Sequence, residues 1–185
     1  MAESPNSSEF RATLGLFATG VTVVGARAGD LVHGMTANAF TSVSLDPLLV
    51  LVCVQRSAVM HKVVDAAGAF AVSVLSAGQE RLARWFSDSS RPEGIAQFDG
   101  IDWRPGAFTG APVLGGTLAR LECRVERAYE GGDHDIFLAR VIALDRAGDT
   151  GDGPLVWFGG SYRQLGEAAS DGQADGFDLV QERER

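Results

Sequence analysis

Apolar residues recur along this chain in short runs separated by Gly, Pro, Asp and Ser, a spacing that predicts strands more often than helices. The longest purely apolar run, LLVLVCV at 48–54, is too short to span a bilayer and suits a buried strand. VTVVGAR reads as a strand rich in β-branched residues, AGD as a turn, and LVHGMTANAFTSVSL as further strand interrupted by Gly34. Asp46-Pro47 makes a turn before the apolar run. AFAVSVL at 69–75 is another strand. Two long strands are predicted near 113–128 and 134–146, joined at YEGGDHD, and PLVWF is the last.

Helical spacing is rarer. Residues 8–19 fit a helix with Ser7 or Ser8 as cap, Glu9 in the first turn, and Phe10, Leu14 and Phe17 on one face; Gly20 ends it. Ser57 is placed to cap a second, running to about Ala67 before Gly68. SAGQERLARWF is amphipathic, with Leu82, Trp85 and Phe86 inward. Residues 87–112 read as a long irregular connection, a lid or a partner surface. Together these elements predict a mainly β protein with flanking helices, an antiparallel barrel closed or partly closed.

Composition narrows the function. At 185 residues, 45% hydrophobic, the chain suits one domain, placed at 1–165, with an acidic, polar tail at 166–185. A net charge of -8 argues against nucleic acid and anionic membrane surfaces as partners. The opening MAESPNSSEF lacks the features of a signal peptide, so a cytoplasmic protein is expected. Cys53 and Cys123 form no C-x-x-C motif, and His33, His61 and His134 are scattered, so no metal site is expected. Neither the Gly-rich dinucleotide motif nor the P-loop is present.

Two stretches carry candidate chemistry. TANAFTSVS at 36–44 places Thr36, Asn38, Thr41, Ser42 and Ser44 in a predicted strand without a charge. As one extended segment it would put Asn38, Ser42 and Ser44 on one face, and Ala37, Ala39, Thr41 and Val43 on the other. Such a face suits a ligand with amide edges and a phosphate. It equally suits cross-strand Ser/Thr pairing or bonding back to the local chain. Ser57 at a helix start, with Lys62 beyond it, is a phosphate site or a plain cap. The second stretch is YEGGDHDIFLARV at 129–141, which reads as a metal site, an acid/base centre or a turn. Strand alternation would point Asp133 and Asp135 to one face and His134 to the other, which makes a joint metal site awkward.

FATGVTVV (17–24), GMTANAFTSVSLDPLLVLVCV (34–54), GAFAVSVLSAGQERLARWF (68–86), GAPVLGGTLARLECRV (110–125), GGDHDIFLARV (131–141) and PLVWFGGSYRQL (154–165) share an order and spacing. In these the chain resembles the flavin reductase-like proteins with a flavin-binding split barrel. Those are small reductase components of two-component flavin-dependent monooxygenases.

The resemblance implies a six-stranded antiparallel Greek-key barrel, usually a homodimer. It also implies that Thr36, Ala37 and Asn38 contact the isoalloxazine, and that Ser42, Val43 and Ser44 lie near the ribityl and phosphate. Cys53, Val54 and Gln55 would lie beneath the ring, with Ser57 and Lys62 at the phosphate. The Gly-Asp-His turn would sit beside the nicotinamide, with His134 positioning it or supplying a proton or hydrogen bond, and Asp133 bracing the turn. Tyr162, with Asp133 and His134, would belong to the nicotinamide-binding set, packing over the pocket or across the dimer, or else be an edge tyrosine of the core. Ala58, Met60 and Ser73 depart from the family pattern; the first two leave fewer hydroxyls at the phosphate. The implied reaction is hydride transfer from NADH or NADPH to N5 of FMN or FAD, with the reduced flavin passed to a partner monooxygenase. A flavin-binding or carrier module without turnover is the alternative. A split-barrel oxidase of a pyridoxine-type phosphate ranks last, since it would need more Arg and Lys.

Overall fold

The structure is a computed structural model that describes residues 4–148 and 152–166. The predicted acidic tail lies outside the described residues from 167 onward. The first helix, α1, spans Ser7–Leu14, and its cap is Asn6 rather than Ser7 or Ser8. The Asn6 side chain accepts from the Ser8 and Glu9 N–H groups, and the Glu9 carboxylate accepts from the Asn6 N–H. This reciprocal box satisfies donors that a helix start leaves open. Gly15, not Gly20, ends the helix.

The chain then runs through β1 (Thr19–Gly20), β2 (Thr22–Ala28), β3 (Leu31–Ala37), β4 (Phe40–Leu45) and β5 (Leu48–Gln55). Next come α2 (Val59–Ala67), β6 (Ala69–Val74), α3 (Glu80–Ser87) and the short pair β7 (Trp103–Pro105) and β8 (Pro112–Leu114). The long hairpin β9 (Ala119–Gly131) and β10 (His134–Arg146) precedes a small one, β11 (Leu155–Phe158) and β12 (Ser161–Gln164). The strand predicted at 113–128 is therefore shifted toward the hairpin turn.

The main sheet has seven strands in the order β3-β2-β6-β9-β10-β5-β4. Strands β3 and β4 are its two edges, yet only Asn38 and Ala39 separate them in the chain. A flat sheet of that width would hold its edges roughly 29 Å apart. Three Cα steps span at most about 11 Å. The sheet must therefore roll until its edges nearly meet, leaving a seam that no β3–β4 hydrogen bond closes among the described residues. This is a split barrel. A separate three-stranded sheet, β1-β11-β12, flanks it.

Rolling creates one interior. Val24 and Ala26 of β2, Val50, Val52 and Val54 of β5, Phe70 and Val72 of β6, and Phe137 and Ala139 of β10 meet there. Met60, Val63 and Val64 of α2 fill the remaining space. The apolar run at 48–54 is thus two-faced: Val50, Val52 and Val54 are buried, whereas Leu49, Leu51 and Cys53 are only half-buried on the outer side. Strand β2 is buried on both faces, because Val21, Val23, Leu75, Phe86, Phe98 and Leu114 form a second core behind it.

Gly34 does not interrupt its strand. A Cβ there would lie 2.6 Å from the Phe86 ring, so the glycine lets α3 close onto β3. The segment 87–112 is mostly exposed but anchored at its middle. Gln97 and Phe98 are buried, and the Gln97 side chain donates to the Val32 and Gly94 carbonyls and accepts from the Gly34 N–H.

Glu122 on β9 holds the 106–110 turn. Its carboxylate accepts from the Ala107, Phe108 and Thr109 N–H groups and from the Thr109 hydroxyl. Burial pushes the Glu122 carboxyl up, but these bonds together outweigh it and hold the group below the usual range. A pKa lower in the folded than in the unfolded chain stabilises fully above the unfolded value, and the gain is lost on acidification. Glu122→Gln leaves a donor facing donors, so a loss of about 1–3 kcal/mol near neutral pH is expected. In denaturant titrations that gap should narrow as pH drops below about 4.3, the ordinary glutamate value.

Candidate active site

The seam gathers much of the polar stretch at 36–44, but not as one strand. The break at Asn38 and Ala39 ends β3, and β4 begins at the opposite edge. A bulge then puts Ser42 across from Val50 and Ser44 across from Leu49, neighbours that face opposite ways. The expected shared face of Asn38, Ser42 and Ser44 is therefore not formed. Each change of direction resets the two-residue period.

At the break, Thr36 donates to the Ala83 carbonyl at 2.7 Å, and Thr22 donates to the Ala37 carbonyl at 2.7 Å. The Asn38 amide donates to the Thr19 hydroxyl at 3.2 Å, and the Cys53 N–H donates to the Ala39 carbonyl at 3.0 Å. A groove of about 750 Å³ opens here, lined by Thr36, Asn38, Arg84, Asp88, Trp157 and Tyr162 among others. Tyr162 meets Trp157 edge-on at 4.9 Å, and the Arg84 guanidinium lies 5.0 Å from the Tyr162 ring centre. Tyr162 is thus a groove wall, packed against the second core.

Arg91 straps the wall that holds Asp88. It donates to the Asp88 and Gly34 carbonyls and stands 3.1 Å from His33 Nε2. Burial, helped by the Arg91 charge, pushes His33 down to about 4, so its ring is neutral and accepts from the guanidinium.

Beyond Ala39 the site continues along β5 and β10. Gln55 pairs with His134, and Cys53 with Ile136, so these four share the outer face. Val54 does not: the residue is buried in the interior. Ala37 is also buried. Ser57 does not cap α2; Ala58 occupies that position, and no side chain caps the helix. Ser57 and Lys62 are exposed. Cys53 and Cys123 are free thiols, and burial pushes Cys123 up to about 12, which makes it inert.

Asp133 departs from the expected alternation because it sits in the turn before β10 begins. Its carboxylate lies 2.7 Å from His134 Nδ1. The hydrogen bond from His134, then its charge, holds Asp133 below the usual carboxylate range. Asp135, one residue on, points the other way, toward Arg56 and His61. His134 is thus separated from Asp135 but not from Asp133. Among the described residues no cluster of His, Cys, Asp and Glu is arranged to hold a metal ion.

The donor set fits a flavin. The seam offers hydroxyl and amide groups, an aromatic pair, the Arg84 guanidinium and the Asp88 carboxylate, and Cys53 and Ile136 stand half-buried on the outer face of β5 and β10. Sequence reading missed Arg84, Asp88, Gly160 and Ser161. Arg84 lies on the polar side of a helix read only for its apolar face, and Asp88 is the residue that ends that helix. Gly160 and Ser161 belong to a turn whose place beside Asn38 is set by β11 pairing with β1.

Known proteins point the same way. The profile of the flavin reductase like domain matches residues 14–166. An NADH-dependent FAD reductase of Streptomyces globisporus is 51% identical over 166 residues, 90% of each chain. The reductase component of 4-hydroxyphenylacetate 3-monooxygenase from Thermus thermophilus is 42% identical over 84% of this chain and 95% of that protein. Among solved structures, the NADH:FAD oxidoreductase SgcE6 of Streptomyces globisporus, in complex with NAD and FAD fragments, aligns with a TM-score of 0.83. It is 46% identical, over 91% of this chain and 98% of that one. A rolled sheet with a polar seam, a matching profile over nearly all the described residues and relatives this similar lead to one conclusion: the chain belongs to the flavin reductase like domain family.

Proposed function

We propose that this flavin reductase uses NADH to reduce FAD and releases the reduced flavin to a partner monooxygenase. The observation that carries the reading is the polar break at Thr36–Asn38, hydrogen-bonded into a groove walled by Trp157 and Tyr162. FAD over FMN, and NADH over NADPH, rest on the relative with 51% identity, named an NADH-dependent FAD reductase. We read residues 1–165 as the catalytic domain and 166–185 as a tail outside it. No described helix is long and apolar enough to cross a membrane; a cytoplasmic location is part of this proposal.

When bound, FAD supplies the redox chemistry, taking a hydride from the nicotinamide at its N5. In this reading Thr36, Ala37 and Asn38 hold the ring edge, the two polar side chains and the backbone serving as hydrogen-bonding groups. Cys53 and Gln55 support the ring from beneath, on the strand whose Val54 faces the interior. Ser42, Val43 and Ser44 take the ribityl and phosphate, and Ser57 and Lys62 the phosphate. Tyr162 and Trp157 wall the groove and exclude water from its floor.

His134 has a role that follows from its partner. A carboxylate only accepts, so the Asp133 contact places the proton on Nδ1. With Nδ1 turned to Asp133, Nε2 is the ring nitrogen left to hydrogen-bond the carboxamide of the nicotinamide. Asp133 sets the tautomer rather than only bracing the turn.

A homodimer is the second part of the proposal. Phe10, Leu14, Leu16 and Phe17 around α1 are exposed, as are Val43, Leu45 and Leu48 on the β4–β5 hairpin. No residue of α1 is buried. Apolar surface of this extent is characteristic of an interface.

Steady-state assays of NADH and NADPH against FMN and FAD should show the highest kcat/KM for NADH with FAD. Absence of nicotinamide oxidation with either flavin would leave a carrier instead. His134→Ala is expected to raise the NADH KM or slow hydride transfer about five- to tenfold, the worth of one hydrogen bond, with FAD affinity little changed. Unaltered kinetics would refute the assignment. Light scattering should give twice the chain mass, and Leu45→Glu should shift it toward the monomer.

A further inference from the structure

Behind the outer face, on the side of β10 away from His134, lies a charged cluster that the reaction does not use directly. Asp135 receives the Arg56 Nε at 2.7 Å and faces His61 Nε2 at 2.7 Å. Arg56 also reaches Glu130 on β9 at 3.1 Å, and its backbone N–H donates to the Asp133 carbonyl at 3.0 Å. The His61 ring packs edge-on against Phe137 at 5.2 Å. The Asp135 and His61 side chains are only 15% and 18% exposed, which sets this pair apart from a solvated surface ion pair. Hydrogen bonds from His61, then Arg56, hold the Asp135 carboxyl below its usual range, so it is charged near neutral pH.

The connectivity gives the cluster its meaning. Arg56 belongs to the turn between β5 and α2, next to Ser57, and His61 lies in the first turn of α2. Asp135 is the second residue of β10, adjacent to His134. One carboxylate therefore ties the β5–α2 turn, the helix and the hairpin together. Strand alternation keeps it off the face that bears His134.

We propose that Asp135 is a positioning residue: it locks the β5–α2 turn to the His134 turn and so fixes the spacing between the phosphate side and the nicotinamide side of the site. This rests on the reductase reading above. Asp135 touches neither ligand, yet its loss weakens both. Its effect is thus distinct from that of His134, which acts on the nicotinamide alone.

The test compares Asp135→Leu and Asp135→Asn with wild type by three readouts: amide hydrogen exchange without cofactor, FAD Kd by fluorescence quenching, and steady-state kinetics. Asp135→Leu should speed exchange in residues 55–58 and 131–134 while the doubly buried β2 stays protected. It should raise FAD Kd and NADH KM together, each by about five- to tenfold, with kcat at saturation within about twofold. Asp135→Asn keeps an acceptor for Arg56 and should recover most of the loss. Unchanged exchange in either turn overturns the lock. Faster exchange with unmoved FAD Kd and NADH KM overturns the positioning role, as does a change in only one of the two constants. Wild-type protein that oxidises no NADH sinks the reductase reading itself, a result distinct from an active wild type whose Asp135→Leu variant behaves identically.

Discussion

Two residues, Asn38 and Ala39, must carry the chain from one edge of a seven-stranded sheet to the other. That tether forces the sheet to roll, and most of the remaining architecture follows. A rolled sheet encloses a cavity that must be filled, and Met60, Val63 and Val64 of α2 fill it. The outer side of β2 is then covered by α3 and the 94–98 turn, giving a second core. The edges left unjoined at the seam are where backbone groups and neutral side chains meet solvent. An unpaired sheet edge is a liability in most folds. In this one it borders the groove.

The site divides its tasks by face. The seam presents hydroxyls, an amide and an aromatic wall. The outer surface of β5 and β10 presents a thiol, an amide and the His134 imidazole. Formal charge enters the groove through Arg84 and Asp88, and behind the outer surface the cluster around Asp135 ties the turns together. No protein nucleophile is required, because the cofactor carries the electrons.

Much of the fold was legible from pattern. The hairpin strand at 134–146, the strand at 69–75, the inward face of SAGQERLARWF and the stop at Gly68 all lie where periodicity and turn chemistry put them. Errors fell where a long-range contact competed with a local signal. Gly34 read as a break because glycine weakens a strand. It is instead the place where Phe86 approaches β3, a fact held about fifty residues away in the strand–helix packing. Ser57 read as a cap because serine favours that position, but the chain turns one residue later. Asp133 escaped strand alternation by lying in the turn, which left its carboxylate beside His134.

Residue order alone therefore determined a mainly β domain, the main strands and helices, the polar composition of 36–44 and the candidacy of His134. These depend on local period and residue chemistry, which the chain carries in its own order. Only the tertiary structure decided that 36–44 is split between two edges, that Val54 points inward, and that Arg84, Trp157 and Tyr162 share a groove with Asn38. It alone brought Arg56, His61 and Asp135 together. Those outcomes depend on how the sheet rolls and which strands become neighbours, and such distances between residues far apart in the chain are not encoded in any short window of it.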